Sequence, residues 1–311
     1  MRGLGVALAV SLWAAAALGQ EALVTNQGSD DLSIVDLARL EVVATLPIGG
    51  KPAGIAVAPD GSRAYVTSPE GKFLTVVDPM ANAVLGRIPL RGGPVGVAVH
   101  PDGSRVYVAD WYEHRLFVVD PAQGAIVGEV QVGQSPSGVA VTPDGSLIVT
   151  ADRDSHQLSV IDARELRVLG TVAVGERPFG VTIDAAGARA YAANVGTNDV
   201  SVVDLAERRV IATVPTGERP YAVALARGKG FVTDQYASTV TVFDATSFAV
   251  LATLHVGEYP EGIAASPDGS KVYVACWFDN VLQAIDTETL EPAGEVAVGD
   301  GPRAFGAFIR P

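Results

Sequence analysis

A chain of 311 residues is long enough for one large domain or two ordinary ones. Its 22 basic and 35 acidic side chains give a net charge of −13. Such a surface argues against broad nucleic-acid binding, which needs clustered lysines and arginines to displace counterions. The single cysteine, Cys276, excludes an intrachain disulfide, so the fold must stand on its core.

In chain order, "MRGLGVALAVSLWAAAALGQ" comes first. Arg2, an apolar run and the small residues around Ala17-Leu18-Gly19 read as a secretory signal peptide over residues 1–19, cut near Gln20. An N-terminal anchor helix is the alternative, but the run is short for a span. No later segment is apolar for the length of a membrane helix. Without Arg2 the mature chain would carry 21 basic against 35 acidic residues, a net charge of −14. A periplasmic or secreted location is expected.

Residues 20–311 are organised by an internal repeat. The Asp that closes each "VVD"-like run recurs at Asp36, Asp78, Asp120, Asp162, Asp204, Asp244 and Asp286, with spacings of 42, 42, 42, 42, 40 and 42. A proline recurs with the same spacings at Pro52, Pro94, Pro136, Pro178, Pro220, Pro260 and Pro302. Each unit holds four short alternating runs, as in "AGIAVA", "RAYVT", "FLTVVD" and "AVLGRIPL", bounded by Pro, Asp and Gly. Those are strand signals. The Asp-Gly pairs at 60–61, 102–103, 144–145 and 268–269 read as hairpin turns, replaced by "ARGKG" in the fifth unit, near the two-residue deletion.

Four antiparallel strands per repeat of this length predict an all-β, seven-bladed β-propeller. Blade one starts at Pro52. Blade seven is expected to join residues 302–310 to residues 22–48 and so hide the sheet edges. Gly54, Gly96, Gly138, Gly180, Ala222, Gly262 and Ala304 fit seven inner strands that converge closely.

"YVTS" (65–68), "YVAD" (107–110), "YAAN" (191–194) and "ALVTN" (22–26) resemble the YVTN-type β-propeller repeat. With seven units and a leader, the chain resembles the periplasmic YncE-like family over essentially all of its mature length. The resemblance implies the fold. It leaves function open among lactonases, lyases, subunits of amine dehydrogenases and binding proteins.

Positions that break the repeat are the informative ones. The resemblance places the binding face where the loops between second and third strands, and from outer strand to next inner strand, meet the channel mouth. Tyr112, Tyr221, Tyr236, Tyr259, Trp111, Trp277, Phe278 and Phe179 all fall in those loops. Rigid rings suit a binding surface, and they also suit a plug that packs on itself. Arg177, Arg219 and Arg303 flank three of the prolines, and Glu261 follows Pro260. An arc of arginines would fit a small anionic ligand. Pairing with Glu176, Glu218 and Glu258 is the plainer reading.

The turn position matching the N of YVTN reads Asp110, Asp152, Asn194, Asp234 and Cys276 in blades two to six, and His114 and His156 follow four residues after the first two. These are acid–base candidates for a lactonase- or lyase-type enzyme. Hairpin chemistry explains the same residues, because Asn and Asp bond their own backbone. His100 and His255 read as structural, and Cys276 as packing. No nucleophile elbow, phosphate loop, metal motif or cofactor motif is present. The reading favoured on these grounds is a monomeric binding module, for a small anionic ligand or a protein partner, with no metal and no cofactor. The alternatives are a channel-mouth enzyme and an accessory to a periplasmic quinone-dependent dehydrogenase.

Overall fold

A computed structural model describes residues 20–310; the expected leader over residues 1–19 lies outside the described residues. Blade one is built from strands Gly54–Val57, Ala64–Ser68, Phe73–Asp78 and Ala83–Pro89, running from the channel outwards as successive antiparallel neighbours. Blades two to six repeat this order from Pro94, Pro136, Pro178, Pro220 and Pro260. The described residues thus form an all-β, seven-bladed propeller, relieved among them only by one 3-10 turn at Arg153–Ser155.

Blade seven closes the ring as expected. Ile309–Arg310 pairs with Glu21–Ala22, and Asn26 bridges to Pro302. The Leu23 amide donates to the Phe308 carbonyl at 2.8 Å and the Arg303 amide to the Thr25 carbonyl at 2.7 Å. Phe305–Ala307 also runs parallel to Gly54–Val57, so the C-terminal strand ties blade seven to blade one.

The repeat markers have local causes. Each Asp at the end of a third strand caps the turn that follows: the Asp36 carboxylate accepts from the amides of Ala38 and Arg39 at 3.0 and 2.9 Å, and Asp244 from Thr246 and Ser247 at 3.0 and 2.7 Å. The inner-strand glycines touch the next blade. A Cβ at Gly54 or Gly96 would lie 2.1 or 2.0 Å from the carbonyl oxygen of Val95 or Ser137. The deletion falls in blade five, where Ala226 pairs directly with Lys229 across Arg227 and Gly228, both at positive φ (46° and 74°). The repeat tyrosines Tyr65, Tyr107, Tyr191 and Tyr273 are buried and pack between blades, Tyr107 against Ile148 and Ile161 of blade three.

Cys276 is fully buried at the end of Lys271–Cys276. Burial pushes its thiol up to about 12. A thiol is a poor acceptor, and the Gln283 side chain takes over, accepting from the Gly257 amide at 3.2 Å. The native protein is therefore expected not to react with an aromatic disulfide reagent at pH 8, and to titrate one thiol after unfolding. Rapid labelling of the native state would contradict this.

Candidate functional site

Both sets of loops named above lie at one end of the propeller, and recurring bonds join them. The fifth residue of each second-to-third-strand turn sits at positive φ, and in five of the seven its side chain accepts from the amide just ahead of the next blade's proline; Lys72 and Ser238 hold the other two positions. Asp30 accepts from Lys51 (2.7 Å), His114 from Ser135 (3.1 Å), His156 from Arg177 (3.0 Å), Asn198 from Arg219 (2.8 Å) and Asn280 from Gly301 (2.8 Å). The donor residues are at positive φ too, between 51° and 62°. Each bond therefore fixes a corner of the next blade, one that is strained at Lys51, Ser135, Arg177 and Arg219 and relaxed at Gly301.

The acid–base candidates are part of this stitching. Asp110, Asp152, Asn194 and Asp234 are fully buried. The Asp152 carboxylate accepts from Thr150 (2.7 Å), Ser159 (2.6 Å), Gln157 (3.2 Å) and the Gly133 amide (3.0 Å). Asp234 accepts from Thr241 (2.7 Å) and Thr239 (2.9 Å). Asp110 accepts from the amides of Gly93 (2.8 Å) and Tyr112 (3.2 Å). His114 and His156 spend Nδ1 on backbone amides, which leaves the ring proton on Nε2. The three aspartates are enclosed in separate blades, while His114 is half-buried and His156 exposed, each bonded to the corner ahead of the next blade. Among the described residues no group of three His, Cys, Asp or Glu could hold a metal.

The channel mouth is ringed by the residue after each proline: Ala53, Val95, Ser137, Phe179, Tyr221, Glu261 and Arg303. Phe179 and Tyr221 are buried and stack with ring centroids 4.4 Å apart; Phe305 joins them at 5.1 and 5.3 Å, and Trp111 lies 6.1 Å from Phe179. This is a plug. Behind it an apolar channel of about 570 Å³ is lined by inner-strand residues such as Val97, Val139, Val181 and Ile263.

Glu261, buried beside the plug, faces Arg303 at 3.1 Å and accepts from Gln235 at 2.8 Å. The Arg303 guanidinium donates to the Tyr221 hydroxyl at 2.6 and 2.9 Å and to Gln27 at 3.2 Å. Burial raises Glu261 above the usual carboxylate range, against the pull of the Arg303 charge.

Outside the plug, over blades five and six, the rings are arranged differently. Tyr236 and Phe278 are 55% and 63% exposed. Tyr259 lies between them, 5.7 Å from Tyr236 and 5.1 Å from Phe278. With Glu218, Gln235, Ser238 and Glu258 they line an open groove of about 360 Å³. Here the stitching differs: Ser238 holds the turn position and Tyr259 precedes the proline. Arg219 lies beside this groove, its guanidinium over Tyr236 at 4.8 Å and bonded to Gln235 at 2.8 Å.

The expected residues therefore fall into separate groups. Phe179, Tyr221, Glu261 and Arg303 form the mouth. Arg219, Tyr236, Tyr259 and Phe278 form the groove. Trp111 leans on the plug with Arg153 over it at 5.4 Å, Tyr112 is exposed on blade two, Arg177 is exposed, and Trp277 packs beside Gly301. Among the described residues neither Arg177, Arg219 nor Arg303 is ion-paired with Glu176, Glu218 or Glu258. Phe305, Gln235, Gln27 and Arg153 went unremarked in the sequence. Phe305 had a signal: the same inner-strand position reads Ile55, Val97, Val139, Val181, Val223 and Ile263 elsewhere.

Seven four-stranded blades closed by the two ends of the chain define a β-propeller of the repeat type. The YncE-like β-propeller family model matches residues 6–90, so over that stretch the chain is similar to YncE-like propellers. Among solved structures, hydrazine synthase of Kuenenia stuttgartiensis is similar at 21% identity and a TM-score of 0.73, over 81% of this chain and 88% of that one. A functionally unknown protein from Desulfotomaculum acetoxidans is similar at 17% identity and a TM-score of 0.79, over 92% and 99%. Dihydro-heme d1 dehydrogenase NirN, in complex with DHE, is similar at 14% identity and a TM-score of 0.67, over 93% and 74%. At these identities the likeness carries the fold alone. No curated protein matches the chain.

The buried acids give the site a pH signature. Burial pushes the Asp234 carboxyl up to about 6, so ionising it costs folding free energy. Its contribution is most favourable below pH 4, falls as pH rises through 6 and is flat above, a loss of about 2–3 kcal/mol. Asn26 and Asn194 hold the same slot by donating to Ser33 and Ser201 at 2.9 Å. Asp234→Asn is therefore expected to melt higher relative to wild type at pH 7.5 than at pH 4.5. An equal offset at both values would contradict the raised carboxyl.

Proposed function

We propose that this chain is an exported, non-catalytic binding module that docks a protein partner on its channel-mouth face, over blades five and six. The leader-like start supports export. The observation that carries the docking reading is the exposed strip of Tyr236, Tyr259 and Phe278. Rings kept for stability are buried, as Phe179 and Tyr221 are. Rings held rigid and wet are what interfaces use as anchors. The groove is open, whereas small-molecule sites enclose most of their ligand, so a partner surface fits it better. The small-anion reading has less support, because Arg303 faces Glu261 and Arg219 lies on Tyr236. The enzyme reading has less as well, since the candidate acids are buried in hydrogen bonds and the histidines bond the corners of the next blades. Hydrazine synthase and the NirN dehydrogenase are redox proteins by name, at identities too low to favour an accessory role here.

The test separates anchoring from packing. Tyr236→Ser/Phe278→Ser is expected to change stability by less than about 1 kcal/mol, while Phe179→Ala costs roughly 3–5 kcal/mol. The same double variant should lose a partner that wild type retains from an extract of the cells that make it. A melting temperature lowered as far as in Phe179→Ala, or an unchanged set of retained proteins, would overturn the reading.

A further inference from the structure

We propose that the groove over Tyr259 and Phe278 receives a cationic side chain, arginine above lysine, from a basic segment of the partner. This rests on the docking reading above and adds the chemistry of the contact.

The same face shows what its rings accept. Arg153 lies over Trp111 at 5.4 Å and Arg219 over Tyr236 at 4.8 Å, and Arg303 lies 5.7 Å from the centre of the Tyr221 ring. Arg153 and Arg219 each set a guanidinium over a ring, whereas Arg303 meets Tyr221 at its hydroxyl edge. Among the described residues, Tyr259 and Phe278 have no cation over them, although Phe278 is 63% exposed.

The charges point the same way. Glu218 and Glu258 line the groove, both exposed, and among the described residues neither carboxylate is in an ion pair. Asp279 follows Phe278, its carboxylate accepting from the Glu258 amide at 2.6 Å. No lysine or arginine lines the groove. Counting Arg219 beside it, three acids against one base leave a local charge of −2. An anion would meet those carboxylates. An aliphatic segment would cover them without pairing them, at a desolvation cost. The two rings stand at 63° to each other, so a guanidinium can stack flat on one of them and direct its fork of N–H donors at Glu218 or Glu258; an ammonium can do the second but not the flat stacking.

The experiment measures fluorescence anisotropy of three labelled peptides at low salt against the mature chain. One holds four Gly-Arg repeats, one four Gly-citrulline repeats and one four Gly-Glu repeats. Citrulline keeps the shape of arginine without its charge. The arginine peptide is expected to bind at least tenfold tighter than the citrulline peptide, and the glutamate peptide not at all. Tyr259→Ala and, separately, Glu218→Gln/Glu258→Gln should each weaken binding fivefold or more. Glu70→Gln/Glu176→Gln removes the same charge from exposed turns on other blades and should leave binding within twofold. The inference is overturned by equal binding of the arginine and citrulline peptides, by equal weakening in the two double variants, which would signal bulk attraction, or by no binding. If Tyr236→Ser/Phe278→Ser loses a partner while arginine and citrulline peptides bind alike, docking stands and the cationic assignment falls.

Discussion

The bond from the fifth turn residue of one blade to the amide ahead of the next blade's proline is the interaction on which the face depends. Asp30, His114, His156, Asn198 and Asn280 supply it with different chemistries but one geometry. Both partners sit at positive φ, where every residue but Gly301 is strained. The corner is held by the bond and by the proline that follows. It sets where the residues before and after that proline go. One points out over the face, as Arg177 does, and the other points at the channel, as Phe179 does. Two junctions lack the acceptor: Lys72 holds its place between blades one and two, and Ser238 between blades five and six, where the groove lies.

Convergence of seven inner strands forces the second feature. Small residues let the strands meet, but the mouth then needs filling. Phe179, Tyr221 and Phe305 fill it from blades four, five and seven, and Glu261 with Arg303 completes the ring. A buried ion pair is weak evidence for stability, because desolvating both charges offsets most of their attraction. Its effect here is to engage Arg303, Tyr221 and Gln235 internally, which leaves the outer strip of rings, and Tyr112 over blade two, accessible on the face.

The fold was legible because two markers, the strand-ending Asp and the proline, shared one phase and one deletion. Both have causes in the structure: a turn cap, and the corner ahead of each inner strand. The deletion is the two-residue Arg227-Gly228 hairpin. The candidate site was legible only as a set of loop residues. Sequence placed Tyr221 and Tyr236 in one aromatic group, but the residue after the proline faces the channel and the turn residue faces solvent, so one is buried and the other exposed. The arginines were equally ambiguous. Their partners are Glu261, Gln235 and ring faces from other turns, and no spacing along the chain announces those contacts. Asp110, Asp152 and Asp234 looked like acid–base candidates because burial and hydrogen-bond partners do not show in a turn motif.

The most direct test of the account is a photocross-linking scan in the cells that make the protein. A benzophenone side chain would be placed in turn at position 278 in the groove, at 112 on the same face over blade two, and at 62 on the opposite face. The account predicts a discrete adduct from 278 that Tyr259→Ala abolishes, and little from 112 or 62. Equal labelling from all three positions, or an adduct confined to 62, would place the working surface elsewhere and contradict it.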